Sequence, residues 1–331
     1  MPTAKSPAKE RISIAFCFDD NLWMQAGVAI ASLLYQANGA LYDIYCVVPA
    51  HFAQSRRREI INIAKNLNAD AHVVFLDANN DFDGAPTREY TTGIFYRFML
   101  VKLLPKTVDK IIYADVDTVF CDSLADMYAI DMGENLIAGV ADADQGRPFP
   151  AKHNGYINSG VLIMNMAQIR RQKLYDVWHR MAMAGGFRYA DQDILNKTCD
   201  GRILYLPPRY NYMPGPGGRF AKTIENGIYS ARAVFDAQTN PAIIHFILRR
   251  PWLGHDNLCA DQWWRYAAMT PFYAAFRAKI DTAPDVVETR VLLFAAIPLL
   301  KIKYMRDNVR CLLFGKIPLY RCKRTVKKRG L

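Results

Sequence analysis

Nowhere in the 331 residues do two cysteines stand as CxxC, and no Cys/His cluster with zinc spacing occurs. The seven cysteines, at 17, 46, 121, 199, 259, 311 and 322, are scattered and odd in number. That pattern excludes a zinc site of the usual spacing and a disulfide framework, and it implies a reducing cytoplasm. There is no GxGxxG after the first apolar run and no GxxxxGK[ST] anywhere, so the usual dinucleotide fingerprint and the P-loop are both missing. A nucleotide, if bound, is held another way. The opening MPTAKSPAKERISIAFCF has no apolar core next to a small-residue cleavage site, so no secretory signal is expected.

Acidic residues are nearly absent from one end. From Arg290 to Leu331 there are twelve Lys or Arg and one acid, Asp307, whereas the first 289 residues hold thirty of each sign. The whole net charge of +11 therefore belongs to the tail. Its bases alternate with two apolar blocks, VLLFAAIPLL at 291–300 and CLLFGKIPL at 311–319. Each block is about half of the roughly 20 residues that a membrane span requires. The tail also repeats itself: LLFAAIPLLKIK at 292–303 and LLFGKIPLYRCK at 312–323 agree at seven of twelve positions. Short apolar blocks flanked by bases suit a basic amphipathic segment on an anionic membrane surface. A pair of C-terminal core helices with a solvated basic face is the alternative, and sparse aromatics among the bases argue against nucleic acid.

The remainder is half hydrophobic with 22% charged residues, the composition of a globular chain. Short β-rich runs at 12–18, 42–48, 71–77, 109–115, 136–142 and 159–165 predict strands. Helical stretches are expected at 22–37, around 52–66, and as one helix from Ala167 to about Met183. Alternation of this kind predicts an α/β domain with a largely parallel central sheet, whose ligands bind beyond the carboxyl ends of the strands. Asp19, Asp77, Asp115 and Asp142 all fall at such ends.

Asp115 and Asp117, in IIYADVDTVF, are two residues apart and so project to one side of an extended chain. Two like charges held together are costly unless a cation neutralises them, and hard oxygen ligands suit Mg²⁺ or Mn²⁺. The plainer reading makes one Asp a turn cap and the other a solvated acid. Two enzyme classes carry such a pair after a buried strand. Haloacid-dehalogenase-like phosphatases do so on an early strand, with a lysine and an acidic pair downstream. Here three strands precede the pair and no convincing acidic pair follows.

Six segments in order, FDDN at 18–21, YRF at 96–98, YADVDTVF at 113–120, YINSGVLIMN at 156–165, ADQDILN at 190–196 and HFILRRPW at 245–252, resemble glycosyltransferase family 8. That group includes bacterial lipopolysaccharide galactosyl- and glucosyltransferases and glycogenin. The resemblance implies a GT-A-like catalytic domain over 10–255; a helical extension at 256–289 and the membrane-associating tail at 290–331 are expected to follow it. It implies a metal site of Asp115, Asp117 and His245, and donor contacts from Asp19, Asn21, Arg97, Asp115, Val116, Asn158 and Arg250. It places Gln192, Asp191 and Asp142 near the reacting sugar. The implied activity is a retaining, Mn²⁺- or Mg²⁺-dependent transfer of glucose or galactose from a UDP-sugar to a glycan. Lipopolysaccharide or another lipid-linked saccharide is the expected acceptor, met at the inner face of the cytoplasmic membrane.

Each of these residues has a structural alternative. Asp19 and Asn21 form an Asx turn as readily as a nucleoside contact; Arg97 is equally a paired core arginine; Asp191 is equally a helix N-cap; Asn158 suits a turn; and His245, after Ala-Ile-Ile, reads as a core histidine. Two departures from the family pattern stand out. Leu22 occupies a position where the family often stacks an aromatic on the uracil, leaving Trp23 as the substitute. HFILRRPW lacks the usual glycine, is one residue short, and carries Arg249 and Arg250 where a lysine is usual. A catalytically inactive, membrane-associated relative is therefore a further reading.

Overall fold

The computed structural model describes residues 11–68, 70–87, 91–142, 156–214, 220–247, 249–254, 257–282, 287–293, 297–305, 308–313 and 317–323. The chain divides into two compact units, one of residues 1–251 with 255–273, the other of 252–254 with 274–331.

The first unit is built on seven strands: β1 (Arg11–Cys17), β2 (Leu41–Pro49), β3 (His72–Ala78), β4 (Lys110–Ala114), β6 (Ile137–Ala141), β7 (Ile157–Asn165) and β8 (Ile203–Tyr205), in the order β3-β2-β1-β4-β7-β6-β8. Neighbours are parallel except around β7, which runs antiparallel to both β4 and β6. Both faces are covered, which explains why the strands read as unbroken apolar runs. Ile12, Ile14 and Phe16 of β1 enter one core with Ile44, Ile112 and Val161, while Ala15 and Cys17 enter a second with Val47, Tyr113 and Leu162.

Strand order reverses between β1 and β4: β2 and β3 lie to one side, β7 to the other. This switch point is where α/β sheets bind ligands. Because β7 runs the opposite way, its first residues, Asn158 to Gly160, reach the same edge as the last residues of β1 and β4. A separate antiparallel pair, β5 (Thr118–Phe120) with β9 (Ile243–His245), puts His245 opposite Thr118.

The segment expected as one helix from Ala167 to Met183 is two helices, Met166–Arg171 and Leu174–Ala184, because Lys173 between them takes a left-handed conformation (φ 54°). Helices Ala260–Ala267 and Tyr273–Thr282 follow the catalytic-type core.

The second unit contains four antiparallel strands, β10 (Val287–Leu293), β11 (Ile297–Met305), β12 (Asn308–Leu313) and β13 (Ile317–Lys323), in sequential order. The core-helix alternative therefore does not hold for the described part of the tail. KIKY at 301–304 alternates with period two, the period of a strand, and that local pattern prevails over block hydrophobicity. The sequence repeat is a hairpin repeat. Between Val291/Leu292 and between Cys311/Leu312, twenty residues apart, the register slips in the same way, next to Pro298 and Pro318.

Candidate active site

β4 ends at Ala114, and the chain turns through Asp115 and Asp117 into β5. Pairing of β5 with β9 then delivers His245, 128 residues later, beside that turn. The Phe246 N–H donates to the Asp117 carbonyl at 2.8 Å, pinning the two segments together. One ligand atom each from Asp115, Asp117 and His245 lies within 4.8 Å of the others. His245 Nε2 is 3.0 Å from Asp117 Oδ1 and 3.8 Å from Asp115 Oδ2. Adjacent corners of an octahedron with bonds of about 2.1 Å are separated by roughly 3.0 Å, so two carboxylates and one imidazole at these spacings fit a hard divalent ion.

The electrostatics differ between the two acids. Burial pushes the Asp115 carboxyl up, aided by the Asp117 charge and opposed by Arg97, His245 and a hydrogen bond from Tyr113. Burial also acts to raise Asp117, yet the adjacent His245, with Arg250 behind it, holds this carboxyl below its ordinary range. Arg250 Nη2 lies 3.7 Å from Asp117 Oδ2 and is 42% exposed, so it faces both the site and solvent.

Arg97, on the helix Tyr96–Leu103, is buried between acids. It reaches Asp115 Oδ1 at 2.9 Å and Asp191 Oδ2 at 3.0 Å, donates to the Ser159 carbonyl at 2.6 Å, and lies over the Tyr113 ring at 4.4 Å. The Tyr113 hydroxyl donates to Asp115 Oδ1 at 2.5 Å. Asp191 is not the N-cap of its helix, Ala190–Thr198: its carboxylate accepts from Ser159 Oγ at 3.0 Å and pairs with Arg97. Asp193 instead ties down the segment that enters the helix, accepting from the N–H groups of Arg188 and Tyr189 at 3.0 Å each. Gln192 Oε1 accepts from the Ser159 N–H at 3.0 Å and from Asn158 Nδ2 at 3.1 Å.

The remaining expected residues fall into three groups. Asp19 and Asn21 do form the Asx turn, with the Asn21 N–H 2.9 Å from Asp19 Oδ1, and they also line a cavity of about 220 Å³ at the end of β1 with Pro49, Gly93 and Tyr96. Val116 is 4% exposed and packs in the core, so only its main chain is available for a ligand. Asp142 is buried just past β6, its N–H bonded to the Tyr156 carbonyl. Asp77 pairs with Arg57 at 2.5 Å, which gives it a structural partner.

Trp23 is not among the residues that line this cavity. Its ring packs edge-on against Phe272 at 4.7 Å and under Arg56 at 5.1 Å. Tyr96, next to Arg97 in sequence, lines the cavity, as does the imidazole of His51. Sequence reading passed over Tyr96, Tyr113, Ser159, Gly160 and Asn211. Only Gly160 left a signal: a glycine mid-strand marks a close approach. A Cβ there would lie 2.1 Å from His245 Cε1 and 2.8 Å from Asp115 Oδ2.

Comparison with solved structures places this architecture in the GT-A class of glycosyltransferase folds. The galactosyltransferase LgtC, solved with donor and acceptor sugar analogues, superimposes with a TM-score of 0.67 at 22% identity, covering 81% of this chain and 100% of that one. The family model for glycosyl transferase family 8 matches residues 13–256, and the chain belongs to that family. It is 24% identical over 277 residues to a lipopolysaccharide 1,2-glucosyltransferase of Escherichia coli, covering 79% of each chain. A lipopolysaccharide 1,3-galactosyltransferase of Salmonella typhimurium is 21% identical over 257 residues, 73% of each chain. The phosphatase reading of the Asp115/Asp117 pair falls with this assignment.

Proposed function

We propose that the chain transfers a hexose, glucose or galactose, from a UDP-sugar to a glycan acceptor with retention of anomeric configuration. The convergence of Asp115, Asp117 and His245 beside the Arg97–Asp191–Gln192 network carries this reading. Asp115, Asp117 and His245 would hold Mn²⁺ or Mg²⁺, which supplies Lewis-acid stabilisation of the charge on a departing diphosphate. Arg250, half in solvent beside Asp117, is suited to a diphosphate oxygen, since arginine pairs closely with phosphate. The Asp19/Asn21 cavity takes the nucleoside, with Tyr96 as its aromatic wall in place of the residue after the motif. Asn158, Asp191 and Gln192 orient the sugar, and Gln192 presents its NH₂ end, because its oxygen is already held by Asn158 Nδ2 and by the N–H and hydroxyl of Ser159. Among the described residues no side chain stands out as a covalent nucleophile, which favours attack by the acceptor hydroxyl on the face the diphosphate leaves. Asp142 lies toward the acceptor in this reading.

The acceptor we propose is lipopolysaccharide or another lipid-linked saccharide, met at the inner face of the cytoplasmic membrane. The tail sheet supports it. Its described strands carry six bases, Arg290, Lys301, Lys303, Arg310, Arg321 and Lys323, against a single acid, Glu288, interspersed in sequence with apolar residues. No helix among the described residues is long and apolar enough to cross a membrane. A basic segment contributes on the order of 1 kcal/mol per base near anionic lipid. Deleting residues 290–331 is expected to release the protein from vesicles containing anionic lipid, and pelleting of the truncated protein would remove the tail from this role. For the donor, hydrolysis and transfer assays with UDP-glucose and UDP-galactose are expected to show metal-dependent turnover of one of them. Absence of turnover and of UDP binding would instead support a catalytically inactive relative.

A further inference from the structure

The amides of the site form a chain whose polarity is set by the backbone. The Gly160 N–H, a donor by necessity, points at Asn158 at 2.9 Å and so fixes that contact atom as Oδ1. The other end of the Asn158 amide is then Nδ2, the donor to Gln192 at 3.1 Å. The Ser159 N–H, equally unambiguous, points at the same Gln192 atom at 3.0 Å and confirms it as oxygen. Asn158 Oδ1 also meets the Asn211 side chain at 2.9 Å, so Asn211 presents Nδ2 there. Its oxygen is left for His245 Nδ1, 3.0 Å away. An acceptor opposite Nδ1 requires a proton on Nδ1. Nε2 is then the ring nitrogen that faces the carboxylates of Asp115 and Asp117, and once its proton is released it is the one left to bind a metal. Asn211 is fully buried on a 3-10 turn, Pro208–Asn211, and Asn158 and His245 are 7% and 2% exposed, so water does not compete for these bonds.

We infer that Asn211 is the positioning residue of the site: it fixes the His245 tautomer that presents Nε2 as a ligand, and it ties that ligand to the amides that orient the donor sugar. The inference rests on the metal reading for its consequence but not for its geometry. Orienting partners of this kind alter metal affinity by roughly 10- to 100-fold. The link also gives the two half-sites a common element, because Asn211 cannot turn to release His245 without withdrawing its donor from Asn158.

Two readings of one set of samples test this. Long-range ¹H–¹⁵N correlation spectra of the metal-free full-length protein, ¹⁵N-labelled on histidine, are expected to show His245 protonated at Nδ1; a bare Nδ1 would overturn the inference without touching the metal reading. Mn²⁺ titration followed by electron paramagnetic resonance is expected to give about 10- to 100-fold weaker binding for Asn211→Leu. Asn211→Asp keeps an acceptor for Nδ1 but loses the donor to Asn158. It is expected to hold Mn²⁺ at least as well as the wild type while losing the affinity that a UDP-hexose gains over UDP. Wild-type Mn²⁺ affinity in Asn211→Leu, with circular dichroism unchanged, would overturn the positioning role. No Mn²⁺ binding by the wild-type protein would instead defeat the metal reading, leaving the tautomer assignment to the spectra.

Discussion

Gly160 and His245 approach so closely that no side chain fits between them. A methyl group on Gly160 would lie 2.1 Å from His245 Cε1, well inside any contact distance, and 2.9 Å from its Nδ1. Gly160 is the third residue of an Asn-Ser-Gly sequence on β7, with no left-handed backbone demand, so it is required by space rather than by conformation. Its backbone meanwhile serves both sides of the site: the N–H fixes Asn158 and the carbonyl accepts from the Asp115 N–H at 2.7 Å.

Gly160→Ala is therefore expected to displace the imidazole, abolish Mn²⁺ binding in a calorimetric titration, and leave the β-sheet circular dichroism intact. Overpacking at one methyl costs about 1–3 kcal/mol, against roughly 5–15 kcal/mol for a whole domain. Unchanged metal affinity in a folded Gly160→Ala protein would mean that His245 is not a ligand.

Tyr96 is expected to supply the stacking that Leu22 does not. Base–aromatic stacking is worth about 1–3 kcal/mol, so Tyr96→Ala should weaken UDP roughly 5- to 150-fold while leaving inorganic diphosphate with Mn²⁺ unaffected. Tyr96→Phe should retain UDP affinity. Equal losses for UDP and diphosphate in Tyr96→Ala would show that the ring supports the fold of the cavity rather than the base.

A pH test is available away from the site. Hydrogen bonds from the Tyr175 hydroxyl and from Lys102 Nζ hold the Asp81 carboxyl down at about 2. The unfolded value is about 3.9. A depressed carboxyl adds stability that is complete above the unfolded pKa and is lost as pH falls toward the folded one. Asp81→Asn is thus expected to lower the urea midpoint at pH 6 and to flatten its decline between about pH 4 and 2. The effect is modest, since Asp81 is 28% exposed and screened by solvent. A decline as steep as in the wild type would remove Asp81 from the acid response.

How far the sequence led depended on the range of the interaction. Six of the seven strands of the central sheet were legible because burial on both faces leaves continuous apolar runs, and ISIAFCF became β1 within one residue at either end; the three-residue edge strand β8 was too short to show such a run. The Asp115/Asp117 pair was legible because two-residue spacing is a local property. The partners of those residues were not. Asn211 reads as one more residue of a Pro-Arg-Tyr-Asn turn until Asn158 and His245 close around it. Nor could the sequence show that Trp23 packs edge-on against Phe272, 249 residues away. The helix break at Lys173 carried no glycine or proline to announce it.

The measurement closest to the central claim is a thermal melt of the wild-type protein and of Asp117→Asn, each with UDP, with UDP and Mn²⁺, and with EDTA. Ligand that binds only the native state raises the midpoint, by roughly 5 °C at about a hundred times Kd. The account predicts a rise for the wild type that needs UDP and Mn²⁺ together and is cancelled by EDTA. Asp117→Asn should melt near the ligand-free wild type and show no such rise. An equal rise in Asp117→Asn, or a wild-type rise with UDP that ignores EDTA, would contradict the metal site at Asp115, Asp117 and His245.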